Sequence, residues 1–130
     1  MNIERKDPPR RFTVGNTVRF EMNDCGNVRL EPDEQVTLTT PKGGEYDVAR
    51  KSWGFYATPS LNGRLPQFGL RPALVKNRGT LRQFVLLVEN GSQSDFDAYC
   101  VQENLAVIAW LDDEHSLGVI EAAMAKGLAG

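Results

Sequence analysis

The run Arg50-Lys51-Ser52-Trp53-Gly54-Phe55-Tyr56, followed shortly by Asn62-Gly63-Arg64, holds the side chains in this chain best suited to recognising a ligand. Guanidinium forks match the oxygens of carboxylates and phosphates two at a time. Trp53 and Tyr56 offer ring faces that stack on a sugar or a base, and Gly54 and Gly63 let a ligand approach the backbone closely. With Arg71 added, these residues predict a pocket for an anionic small molecule such as a sugar derivative. Arg50, Arg64 and Arg71 would hold the anion, while Trp53, Tyr56 and Asn62 would shape the walls. The competing expectation is that Trp53 and Phe55 are core residues and that the arginines pair with carboxylates of the same chain.

Other residue types suggest other chemistry. Tyr46 or Tyr56, with Glu45 or Asp47 nearby, has the makings of a proton-transfer pair, so a small enzyme acting on an activated sugar is the alternative. The chain has one histidine, His115, which counts against that alternative without removing it. Cys25 and Cys100 are too few, even with His115, for a four-ligand Cys/His metal site, and no metal is expected. Gly43-Gly44, Gly63 and Gly79 are isolated and open no phosphate-binding loop, so no cofactor is expected either. Ser52, Ser60 and Ser92 have no base beside them in sequence. Both cysteines are predicted to be free thiols in a reducing, cytoplasmic setting.

Charge is distributed unevenly. The chain of 130 residues has a formal net charge of −2. Residues 50–85 carry seven bases (Arg50, Lys51, Arg64, Arg71, Lys76, Arg78 and Arg82) and no acid, whereas residues 86–130 carry eight acids against Lys126 alone. A cationic segment interleaved with aromatics suggests nucleic acid, but the anionic segment after it would cancel much of the field seen by a polyanion. The same two blocks make a protein–protein interaction module acting through charged faces the third functional expectation.

These side chains need a scaffold, and the hydrophobic pattern predicts one that is mainly β, of the α+β kind. The share of apolar residues, 41%, is enough for a core, and no apolar run approaches the roughly 20 residues of a membrane-spanning helix, so no membrane partner is expected. Residues 1–12 are polar and carry two prolines, which predicts a flexible leader rather than an export signal; residues 13–130 are expected to form a single β-rich domain. Thr17 to Met22 and Val28 to Glu31 alternate with period two around the turn-like Asn23–Asn27, predicting a hairpin. Gln35 to Thr40, Glu45 to Val48 and Trp53 to Ala57 continue the period, and Thr58 to Gln67 is expected to be an ordered loop. Pro72 restricts the strand Leu70–Val75 to an edge or a bulge, whereas the apolar run Phe84–Val88 suits a central strand buried on both faces.

Ser94 with Asp97 three residues on resembles a capping box and predicts a helix to about Glu103. Leu105–Leu111 should be one more buried strand. Asp112-Asp113-Glu114 should open a final helix with the apolar stripe Leu117, Ile120 and Met124, stopped at Gly127. That stripe is expected to pack on its own domain, though it also offers a face to a second copy. The sum is a small β-sandwich or open barrel of about seven strands, with one interior and one C-terminal helix.

The runs Trp53 to Ser60, Asn62-Gly63-Arg64-Leu65 and Phe68 to Asn77, with the strand Phe84–Val88 and the ending Trp110-Leu111-Asp112, resemble a group of short, uncharacterised bacterial proteins. The likeness covers about residues 45–112. It implies an association with surface-polysaccharide biosynthesis and therefore a sugar-linked role, and it carries over no site residue.

Overall fold

A computed structural model describes residues 1–15 and 18–129, and the side chains of these up to residue 127. The strands are β1 (Asn2–Val14), β2 (Phe20–Arg29), β3 (Gln35–Thr39), β4 (Glu45–Lys51), β5 (Gly54–Ala57), β6 (Leu70–Asn77), β7 (Gln83–Glu89) and β8 (Leu105–Trp110). The helices are α1 (Arg64–Gln67), α2 (Gln93–Glu103) and α3 (Glu114–Ala129). The chain is mainly β and α+β, as expected, with its strands shared among three small sheets in the orders β1-β2, β3-β4-β5 and β7-β6-β8. Its residues cluster into two compact units. One comprises Met1–Leu38 and Tyr46–Thr58; the other comprises Thr39–Glu45 and Pro59–Gly130.

In the first unit the segment expected to be a leader is a strand. β1 pairs antiparallel with β2 from Asn2↔Arg29 to Val14↔Phe20, with a register shift between Arg5 and Arg10. Lys6 Nζ lies 2.6 Å from Asp24 Oδ2, an ion pair across the ribbon. The sequence conceals this strand because a two-stranded ribbon has little buried face to impose alternation, and Pro8-Pro9 falls where the register shifts. Asn23–Asn27 is therefore the interior of β2 and not a hairpin turn. Thr17, expected to start a strand, lies outside the described residues. β4 and β5 form a tight hairpin, Lys51↔Gly54 to Val48↔Ala57, so the chain reverses at Ser52-Trp53 where the alternation seemed to run straight on. Gly54 permits this with φ +146°, a backbone state that side chains with a Cβ rarely adopt.

The second unit is built on β6. Ala73, Val75 and Val88 pack against Phe96 and Cys100 of α2, and Phe96 meets the Trp110 ring edge-on at 5.8 Å between centroids. The expected roles of β6 and β7 are exchanged: the strand with Pro72 is central, and the apolar run lies at an edge. Proline is tolerated because its nitrogen points toward β8 at the level where that strand has ended, while its carbonyl accepts from the Leu111 N–H at 2.8 Å. Being at the edge leaves Phe84 47% and Val85 55% exposed. The segment expected to be pure loop contains the single turn α1, which buries Leu65 fully. α2 starts after Ser92 rather than Ser94, and α3 runs through Gly127 to Ala129 rather than stopping there. Neither the apolar stripe of α3 nor its small residues are buried: of its described side chains only Ser116 and Leu117 are half-covered. Among the described residues no helix is long and apolar enough to cross a membrane.

Candidate ligand site

The six residues singled out in the sequence divide equally between the two units. Arg50, Trp53 and Tyr56 belong to the first; Asn62, Arg64 and Arg71 belong to the second. Within the second unit each is engaged. Arg71 Nε donates to Asp112 Oδ2 at 2.8 Å and its Nη2 to Oδ1 at 3.2 Å, while its guanidinium carbon sits 4.2 Å from the centre of the Trp110 ring. That hydrogen-bonded pairing with Asp112 pushes the Arg71 pKa up. Asn62 Nδ2 donates to Glu114 Oε1 at 2.8 Å. Arg64 stacks over Phe68, with 5.0 Å from its guanidinium carbon to the ring centre.

Arg50 is held differently. Its Nη1 donates to the Leu30 carbonyl at 2.9 Å and its Nε to the Lys51 carbonyl at 3.0 Å. Carbonyl acceptors fix the direction of a guanidinium but do not neutralise it, so Arg50 keeps its full charge at a defined place. It stands opposite Phe55 in the β4–β5 ladder, which puts both side chains on one face. On that face lies a hollow of about 240 Å³ lined by Glu4, Asn27, Val28, Arg29, Leu30, Arg50 and Phe55. Glu4 and Asn27 are cross-strand partners in the β1–β2 ribbon, and Arg29 follows Asn27 on the same face. Two guanidinium groups against one carboxylate leave the hollow with a net positive charge.

Trp53 and Tyr56 do not line it. Trp53 occupies the hairpin turn and is 68% exposed, which also excludes a core role; Tyr56, paired with Ala49, points to the opposite face. Phe55, likewise expected in the core, is 66% exposed. A larger hollow of about 570 Å³ opens beside the register shift of the ribbon, but Glu4, Asp7, Arg5 and Lys6 balance there and favour neither sign. Of the proton-transfer candidates, Asp47 and Tyr56 fall on one face of the β4–β5 ladder, since Tyr56 pairs with Ala49, two residues from Asp47. Tyr46 and Asp47 are neighbours on one strand and face opposite ways, and the Asp47 carboxylate accepts from Thr37 Oγ1 at 2.5 Å. Glu45 belongs to the second unit. Among the described residues no three His, Cys, Asp or Glu side chains converge as metal ligands.

Asn27, Arg29 and Phe55 were not selected from sequence. The signal for Phe55 was its place within the Arg50–Tyr56 run. None existed for Arg29, whose charge is diluted by the acids of residues 1–49 and whose approach to Arg50 depends on the fold. No family model, curated protein or solved structure matches the chain.

Proposed function

We propose that this chain is a cytoplasmic binding or accessory protein for an anionic small molecule, taken in the hollow between Arg29, Arg50 and Phe55. The observation that carries the reading is the fixing of Arg50 by two backbone carbonyls, which presents an un-neutralised guanidinium to a concave surface. Arg29 supplies the second fork, Asn27 an amide for a hydroxyl, and Phe55 a ring face. Size narrows the ligand: drug-sized pockets span roughly 300–1,000 Å³, and the hollow holds about 240 Å³. One anionic group and a single ring fill it, so a sugar acid or sugar phosphate suits it better than a whole nucleotide sugar.

Calorimetric titration with glucuronate and glucose 1-phosphate tests this. Saturable binding is expected, weakened about tenfold or more in Arg29→Gln, which corresponds to roughly 1.4 kcal/mol or more. Arg29 is exposed, so the variant should unfold at the wild-type temperature. Unchanged affinity in Arg29→Gln would refute the site. A protein-interaction role is the second reading, favoured by the exposed ring of Trp53 and the uncovered apolar residues of α3, Val119, Ile120 and Met124.

A further inference from the structure

The second unit carries a groove with no part in the anion hollow. Arg82 and Asn90, at the two ends of β7, hydrogen-bond β6-side residues: the Asn77 N–H donates to the Arg82 carbonyl at 2.8 Å and the Asn90 N–H to the Gly69 carbonyl at 2.9 Å. The register between these points is unbroken, from Lys76↔Gln83 to Leu70↔Glu89. In an antiparallel ladder, residues that bond the partner strand alternate with residues whose N–H and C=O face away. Phe84, Leu86 and Val88 therefore bond β6, and Gln83, Val85 and Leu87 turn their backbone groups outward. Among the described residues no strand pairs with β7 on that side.

Beside this edge runs a hollow of about 520 Å³. It is lined by the consecutive residues Leu86 to Glu89 and by Ser92, Asp95, Phe96 and Tyr99 of the α2 segment. Consecutive strand residues point to alternate faces, so a hollow touching all of them follows the strand's edge. The α2 residues recur at one helical face and form the opposite wall. The charged residues lining the groove, Glu89 and Asp95, are both acids; Glu89 Oε1 accepts from Thr40 Oγ1 and from the Gly44 N–H, and Lys42, outside the lining, donates to Ser92 Oγ at 3.3 Å.

We propose that this groove binds an extended, basic polypeptide segment, which adds to β7 as a fourth strand. Its backbone pairs with Val85 and Leu87, its apolar side chains rest on Phe96 and Tyr99, and a Lys or Arg meets Asp95. A second copy docking β7 on β7 is disfavoured by charge, because a two-fold axis normal to the sheet brings two acidic α2 helices onto the same side.

The probes are a fluorescein-labelled Lys-Val-Arg-Val-Lys-Val peptide and its Glu-Val-Glu-Val-Glu-Val counterpart, read by anisotropy. The basic peptide should bind saturably and the acidic one should not. Leu87→Pro, which removes an outward N–H without touching the β6 ladder, and Asp95→Lys should each weaken binding at least tenfold, while Arg29→Gln should not. Thermal unfolding checks that the variants fold; if Leu87→Pro does not, Val85→Pro at the exposed neighbouring outward position replaces it. Wild-type affinity in these folded variants, equal binding of the acidic peptide, or loss of binding in Arg29→Gln would overturn the proposal. So would dimerisation abolished by the proline variant with no peptide bound.

Discussion

Arg50 and Arg71 carry the same side chain and meet different acceptors, which decides what each can do. Asp112 takes the Nε and Nη2 donors of Arg71 and offsets its charge. Arg50 rests on carbonyls and remains available to an external anion. Sequence placed both in the same candidate set because residue type records the fork and not its acceptor; only the pairing of a β6 residue with one 41 positions later separates them. The cysteines differ in a comparable way. Cys25 is exposed; Cys100 is buried, and burial together with the nearby Asp97 carboxylate pushes its thiol pKa up. Because the thiolate is the reactive form, a maleimide should label Cys25 in the native protein and Cys100 only after unfolding. Mass spectrometry should find one adduct before denaturant and two after it; fast double labelling of the native chain would contradict the packing around Ala73, Val75 and Phe96.

α3 shows what an element does with little tertiary support. Helices of this length are marginal in water by themselves, so terminal interactions weigh heavily. Asp113 caps it: Ser116 donates to Asp113 Oδ2 through its hydroxyl at 2.8 Å and through its N–H at 3.1 Å. Those bonds, the hydroxyl's first, lower the Asp113 pKa. A carboxylate depressed in the folded state stabilises above its unfolded pKa and loses that contribution as pH falls through the folded value. Helical circular dichroism should therefore decline as the pH drops below the ordinary aspartate range. Asp113→Ala should start lower and lose that part of the acid dependence; an identical acid profile in the variant would contradict the cap. The start of α3 was legible from Asp112-Asp113-Glu114, since caps are local chemistry. Its failure to pack was not, because an apolar stripe reports what a helix can bury and not whether a surface faces it. The same limit explains β7: a run of five apolar residues suits a strand covered on both faces, yet its position in the sheet depends on which strands flank it.

The division into two units governs where the molecule is firm. Leu30 and Asp47 are the buried residues described in the first unit, whereas the second has a continuous core around Ala73, Val75, Val88, Phe96 and Cys100. Amide exchange should accordingly be slowest in β6 and its ladder with β7 and fastest in the β1–β2 ribbon, as mass-resolved deuterium uptake would report; slower exchange in the ribbon would contradict this ordering. Period-two alternation disclosed the mainly β class because half-buried strands impose it. The boundary between units stayed hidden, since both interleave in sequence through residues 39–45. Charge segregation was the clearest whole-chain signal, and part of it is discharged internally through Arg71 and Asp112. The most direct test of the remaining claim is a residue-resolved NMR titration with glucuronate. Shifts confined to the amides of Asn27, Val28, Arg29, Leu30, Arg50 and Phe55, saturating together, are the predicted result; saturable shifts centred elsewhere, or none at all, would contradict an anion site at Arg29 and Arg50.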